Sequence, residues 1–351
     1  MKKLTALLLT LIMMFCMIPA ASAADETATQ AAQTLYELGL FKGTGTNRDG
    51  SPIFDLDKTP TRNQAIIMLV RLLGKEEEAL AGEWELPFTD VAKGSTAYPY
   101  IGYAYANGLT GGTSATTYSG GNPIRANQYI TFVLRAMGYV SGEDFQVSTA
   151  WEFSDEIGLT DGTYSAATKT FTRGDVAEIT FSALTCTSKG SDETLFSMIQ
   201  KNGAIPENTP YVGPQELKWH YCEDEGETVH YEESYIQNAT VAKIGGLYQF
   251  RLVLKAGCFR NIGVFPAGYN GDEDGESRHS KLVRLAEGET ADYAMFLASE
   301  KFIFENPIHT KRMMLNLNPN LNLYPGGFGF LSGFENGSIA VKIETHTLPK
   351  T

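Results

Sequence analysis

The chain has 351 residues, 43% hydrophobic and 20% charged, with a formal net charge of −13. That length suits about two domains, each with its own core. The acid excess argues against nucleic acid and anionic lipid as partners, while leaving room for a few local arginines to hold an anionic glycan.

In chain order, Lys2 and Lys3 precede an apolar run from Leu4 to Ile18, and Pro19 and Ala21-Ser22-Ala23 follow. A basic start, a short apolar run and a small-residue site make a secretory signal peptide, so residues 1–23 are expected to be removed after Ala23, with Ala24 the next-best boundary. The run is too short and ends too abruptly for a membrane anchor. Cys16 lies within it, but Met-Met-Phe before it lacks the small residues of a lipoprotein site. Beyond the leader stand Cys186, Cys222 and Cys258, an odd count that makes no disulfide framework. Cys222 with Cys258 is a candidate bridge; buried free thiols are the alternative.

A repeated pattern follows. Gly39-Leu-Phe-Lys-Gly43, Gly108-Leu-Thr-Gly-Gly112 and Gly158-Leu-Thr-Asp-Gly162 each come after a helix-like stretch. A glycine past the last helical residue accepts the left-handed conformation that ends a helix. Each turn leads through a loop to a second apolar helix, beginning near Thr61, in the stretch from Asn122 to Arg125, and at Thr172. Thr61 with Gln64 and Thr172 with Asp175 have capping-box spacing. In the middle copy, Asn122-Pro123 offers a cap followed by proline at the first helical position. Ile66, Ile67, Met68, Leu69, Val70, Leu72 and Leu73 leave almost no polar face, so each unit needs neighbours to cover it.

The order Phe88-Thr89-Asp90-Val91, helix, G-L-x-x-G, an aromatic such as Tyr118, then a Thr-Arg start resembles the S-layer homology (SLH) domain of bacterial surface proteins. The resemblance spans roughly residues 25–205, in three copies: 24–80, 81–140 and 141–205. It implies an α-helical bundle of three pseudo-threefold copies with grooves between them. It also implies non-covalent anchoring to secondary cell-wall polysaccharide, which often carries pyruvate ketals, and hence a secreted protein at the cell wall and surface. The polysaccharide-binding residues carried over are Arg62 and Arg173 with Thr61 and Thr172, then Asp90 and Arg125. A guanidinium holds a carboxylate through paired hydrogen bonds, and a helix start adds free amides. For Arg62 and Arg173 a structural ion pair is the competing role; Arg71 and Arg135, late in their helices, suit packing or dipole compensation better. The family's second helix opens Thr-Arg-Ala-Glu, whereas this chain has Thr-Arg-Asn-Gln, Thr-Arg-Gly-Asp and, in the middle, Arg125-Ala-Asn-Gln with its arginine shifted by one. That shift ranks Arg125 below Arg62 and Arg173 as a ligand contact.

Past Pro206 helical periodicity fades. Residues 206–351 are expected to form a separately folding, mainly β, sandwich-like C-terminal domain. Ala239 to Ala256 reads as a hairpin about Gly245-Gly246, with Tyr248, Phe250, Leu252 and Leu254 on one face and Gln249, Arg251 and Lys255 on the other. Trp219 and Tyr221 suggest an early strand, Ile339, Val341 and Ile343 a late one, and the Asn- and Gly-rich stretch from Asn316 to Gly337 long loops. His220, Cys222 and His230 lack zinc-ligand spacing, and Asn270-Gly-Asp272-Glu-Asp274-Gly275 lacks the closing carboxylate of a calcium loop, with Lys281 at its twelfth position. Nucleophile-elbow and zinc-protease motifs are absent. No catalytic residue, metal or cofactor is therefore assigned. The C-terminal domain is read as displayed for adhesion, assembly or capture of an unknown ligand, with no membrane contact after leader cleavage. The alternative is a wall-anchored, glycan-active enzyme, although acid pairs such as Glu223/Asp224 and Glu232/Glu233 show no set separation across a cleft.

Overall fold

The computed structural model describes residues 23–216 and, beyond them, 218–223, 228–229, 236–255, 259–264, 278–280, 283–284, 291–299, 311–317, 327–334 and 337–344. The leader before Ala23 and the acidic turn at Asn270–Gly275 lie outside the described residues, as do Cys258, His230 and the side chain of Cys222. None of the described helices is long and apolar enough to cross a membrane.

The first part is helical: α1 (Ala23–Glu37), α2 (Arg62–Leu72), α3 (Glu76–Ala81), α4 (Tyr98–Ala106), α5 (Ala126–Ala136), α6 (Ala150–Glu156), α7 (Arg173–Thr185) and α8 (Leu195–Lys201). The three G-L-x-x-G turns end α1, α4 and α6 in the same way. Gly39, Gly108 and Gly158 have φ of 75°, 70° and 68°. The leucine after each donates its amide five residues back, Leu40 to Leu35 O, Leu109 to Ala104 O and Leu159 to Ser154 O. This is the paired-bond helix stop that a residue with a Cβ adopts only under strain. Each of these leucines is then buried in a core shared with Ile66, Leu69 and Val70 of α2, Ile130, Val133 and Leu134 of α5, and Val176 and Phe181 of α7. The Tyr129 hydroxyl meets Thr180 Oγ1 at 2.7 Å inside that core, where an unpaired hydroxyl would be costly.

Helix starts follow their caps. The Gln64 amide donates to Thr61 Oγ1 at 3.3 Å, and the Thr61 amide to Gln64 Oε1 at 2.8 Å. Thr172 and Asp175 exchange the same two bonds at 3.2 and 2.6 Å. The middle helix departs from the expected Asn122-Pro123 start. It begins at Ala126, with Arg125 as the capping residue, whose amide donates to Gln128 Oε1 at 3.1 Å. Asn122-Pro123 pairs instead with the strand-like approach to α2: the Arg62 amide donates to Asn122 O at 2.9 Å, and the Ile124 amide to Pro60 O at 3.0 Å. Those cross-segment bonds hold the dipeptide extended, so the helix starts later. A guanidinium has no acceptor, so Arg125 supplies only the backbone half of the box.

The second part is strands. A five-stranded sheet runs Val283–Arg284, Ala291–Ser299, Leu247–Lys255, Ile236–Ile244, Tyr211–Glu216. A seven-stranded sheet runs Thr228–Val229, Lys218–Glu223, Gly327–Phe334, Gly337–Glu344, Lys311–Leu317, Phe259–Val264, Arg278–Ser280. All pairings are antiparallel except Lys311–Leu317 with Gly337–Glu344. The hairpin turns at Gly245-Gly246, as its sequence indicates. The Asn- and Gly-rich stretch is not all loop: Gly327–Phe334 pairs on both sides, with Lys218–Glu223 and Gly337–Glu344. Two-sided pairing supplies the backbone bonds that its glycines and short side chains do not advertise.

The polar face of Leu247–Lys255 also departs from its sequence pattern. Alternation reads Gln249 and Arg251 as the solvent side of a half-buried strand, yet Gln249 is 0% exposed and Arg251 lies against the end of α7. Helices cover that face, and Ile244, Leu247 and Leu297 join the helical core.

One ion-pair network is pH-sensitive. Glu76 accepts from Arg71 Nε at 2.8 Å, the Tyr100 hydroxyl at 2.6 Å and Lys42 Nζ at 2.6 Å. Partial burial works to raise its pKa, but these donors outweigh that and bring it down to about 2. A carboxylate with a depressed folded pKa stabilises the fold above its unfolded pKa and loses that contribution as pH falls toward the folded value. Stability is therefore expected to drop between about pH 4.5 and about pH 2. Solvent screening at this partly exposed network reduces the effect to roughly 1 kcal/mol. Glu76→Gln should flatten that part of a pH–stability profile obtained from urea midpoints.

Candidate functional site

Arg62 is the first residue of α2, and its side chain runs inward beneath the middle copy. Its Nη2 donates to Gly111 O at 2.8 Å, the fourth position of the middle glycine turn. The guanidinium sits 4.8 Å from the Tyr118 ring centre and 4.9 Å from that of Phe132. Arg173, the first residue of α7, does the same to the first copy. Its Nη2 donates to Lys42 O at 3.1 Å, again a fourth turn position, its Nε to Phe54 O at 2.7 Å, and it lies 5.0 Å from the Phe41 ring centre. The two are 6% and 7% exposed, and burial lowers the pKa of both from the ordinary arginine value. Each ties one helix start to the turn of another copy.

Ala126 holds the corresponding first helical position of α5, and the arginine beside it, Arg125, points outward. Its exposed guanidinium makes no hydrogen bond or ion pair to the described residues. It borders a cleft of about 550 Å³ where the segments before all three Thr-Arg or Arg-Ala starts converge: Thr59 from the first copy, Asn122–Ala126 and Gln128 from the middle, Thr168, Lys169 and Phe171 from the third, with Arg62, Thr113 and Ser119. Lys169 is likewise exposed and unpaired among the described residues. Among the described residues three cations and no carboxylate line this cleft, in a chain of net charge −13. That lining favours an anion.

Asp90 does not line that cleft. Its carboxylate accepts the amides of Tyr118 and Ser119, both at 2.8 Å. These bonds, the Tyr118 one foremost, lower its pKa. They hold Ser119 at φ 60°, a left-handed conformation a serine rarely takes. A second cleft, of about 430 Å³, runs past Asp90, Asn63, Ser95 and Gly120-Gly121 and shares Ser119 and Asn122 with the first. A Cβ at Gly120 would meet Asn63 Oδ1 at 1.9 Å, so a larger residue there has to displace the Asn63 side-chain amide from this cleft. Of the residues singled out in the sequence, the structure brings Arg62 and Arg125 to one cleft and Asp90 to its neighbour. Thr61 and Thr172 cap their helices, and Arg173 lies inside against the first copy. Thr59, Gln128 and Lys169 went unmarked; their signal is position, within a few residues of each second-helix start.

Residues 87–125 match the family model for the S-layer homology domain. A cell surface protein of Thermoanaerobacter kivui is 30% identical over 199 residues, 52% of this chain and 24% of that protein. The middle cell wall protein of Brevibacillus brevis is 26% identical over 200 residues, 52% of this chain and 18% of that protein. The chain therefore spans a quarter or less of the length of these relatives. Among solved structures, the NEAT5 domain of IsdX2, a B. anthracis hemophore in complex with heme, aligns with 37% of this chain and 90% of its own at 11% identity, with a TM-score of 0.20; that score carries no fold assignment.

Proposed function

We propose, on the premise that this chain contains an S-layer homology domain and is a surface protein of the cell wall, that it anchors itself non-covalently to secondary cell-wall polysaccharide. In this reading residues 24–205 are three SLH copies packed about a pseudo-threefold axis, and the strands of 206–351 form a two-sheet, sandwich-like unit displayed for adhesion, assembly or ligand capture. The relatives' names describe surface and wall proteins, which favours anchoring over the glycan-active enzyme.

The observation that carries the reading is a cleft that, among the described residues, has no carboxylate in its lining and the unpaired cations Arg125 and Lys169 on its rim. An acidic sugar, such as one bearing a pyruvate ketal, offers the carboxylate that a guanidinium pairs with. Thr59, Thr113, Ser119, Asn122 and Gln128 supply hydroxyls and amides for the sugar ring. Arg62 and Arg173, whose guanidinium groups are already bonded to main-chain carbonyls, hold the walls of the site, and Asp90 holds its loop. The full chain should co-sediment with purified walls and fail to do so once their secondary polysaccharide has been stripped. Equal sedimentation with both would end the polysaccharide reading.

A further inference from the structure

Two of the three glycine turns receive a buried arginine from another copy. The third does not, because α5 opens with Ala126 where α2 and α7 carry Arg62 and Arg173. The third turn is gripped from elsewhere. Arg251, on the strand Leu247–Lys255, donates Nε to Gly158 O at 3.0 Å, the first position of the Gly158–Gly162 turn. Its other nitrogens reach the end of α7: Nη1 to Thr185 O at 3.3 Å, and Nη2 to Ser182 O at 3.2 Å, Thr185 Oγ1 at 2.8 Å and Cys186 Sγ at 2.9 Å. Gln249, buried beside it, accepts from the Thr185 hydroxyl.

We infer that Arg251 replaces the arginine missing from the middle copy, so that the β-sheet completes the helical anchor instead of hanging from it as an independent module. Three features support this. The last carbonyls of a helix have no intrahelical donor; here a cation fills that place, where it also complements the negative end of the helix dipole. One guanidinium joins two elements, the turn after α6 and the end of α7, where the Cys186 thiol adds only a weaker bond to the same Gly158 O at 3.7 Å. The sheet also packs into the helical core: its Ile244, Leu247 and Leu297 lie in the same buried cluster as α1 and α7. The N-terminal end of α7 follows directly on Lys169 and Phe171 of the cationic cleft. Arg251 is thus a positioning residue for the third copy, acting on the far end of the helix whose start borders the cleft.

The test uses the full chain and reads no ligand binding, so it stands or falls apart from the polysaccharide reading. Amide hydrogen exchange is followed at Leu159–Gly162 and Ala183–Cys186, with Ile66–Leu69 in α2 as the distant reference. Arg251→Ala should speed exchange at both seam segments by about tenfold or more, equivalent to about 1.4 kcal/mol, and leave Ile66–Leu69 within about twofold of wild type. Arg251→Lys keeps the charge at the helix end but cannot reach both elements. It should protect Ala183–Cys186 while Leu159–Gly162 still exchanges fast. If Arg251→Ala fails to fold, the lysine variant decides through that split. Wild-type exchange at both segments in either folded variant, or equal acceleration in α2 and the seam, would overturn the inference.

Discussion

Arg62→Ala is expected to destabilise the helical region by about 2–4 kcal/mol, and Arg173→Ala by a similar amount. The first removes the donor that pairs with Gly111 O and leaves a void beneath the Tyr118 and Phe132 rings. The second unpairs Phe54 O and Lys42 O and empties the space beside Phe41. A buried carbonyl without its donor loses about 1–3 kcal/mol. A desolvated cation over an aromatic face contributes about 0.5–2 kcal/mol more. Arg62→Lys should recover only part of the loss, because a point charge cannot span the carbonyl and both rings. Urea unfolding followed by circular dichroism reads this directly. A midpoint shift worth less than about 1 kcal/mol would show that these arginines do not tie the copies together.

Gly74→Ala should be comparably damaging for a different reason. Gly74 ends α2 at φ 65°, with the Lys75 amide donating back to Val70 O at 3.0 Å. An alanine there would take a left-handed conformation that costs about 1–2 kcal/mol. Its Cβ would also lie 2.1 Å from Ala204 Cβ and 2.9 Å from Ala204 Cα, an overlap that adds about 1–3 kcal/mol. The two causes separate in a double variant. Gly74→Ala with Ala204→Gly should regain the larger part of the overlap share, that of the Cβ, while keeping the 2.9 Å approach to the Cα and the conformational cost. If the second substitution restores nothing, the contact with the segment after α8 is not what constrains Gly74.

The glycine turns and the two capped helix starts were legible in the sequence because their signals are local: a glycine that must adopt positive φ, and a Thr paired with a side chain three residues on. The middle start at Arg125 was not, since the bonds that keep Asn122-Pro123 extended come from Pro60 and Arg62, far away in sequence. The buried polar face of Leu247–Lys255 was hidden for the same reason, as alternation reports that two faces differ but not what covers each. The site shows this most sharply. A Thr-Arg motif marks where an arginine stands, and sequence alone ranked Arg62 and Arg173 above Arg125 as ligand contacts. Whether a guanidinium points outward or is held by main-chain carbonyls depends on a one-residue shift, Arg125 before the helix against Arg62 within it, and on turns contributed by other copies. Lys169 carried no motif at all; only the convergence of the three loops puts it beside Arg125.

The ranking of those arginines is the most direct test of the account, and calorimetric titration of purified wall polysaccharide into the full chain measures it. Arg125 and Lys169 are exposed and unpaired among the described residues, so replacing both by alanine should leave the unfolding midpoint unchanged. Each hydrogen bond to charge contributes about 1.5–3 kcal/mol, so affinity should fall by about tenfold or more. Arg62→Lys, compared under conditions where it remains folded, should bind within about threefold of wild type. Wild-type affinity in the Arg125→Ala/Lys169→Ala variant, with the loss appearing instead in folded Arg62→Lys, would contradict the account and return the ligand to the inner arginines.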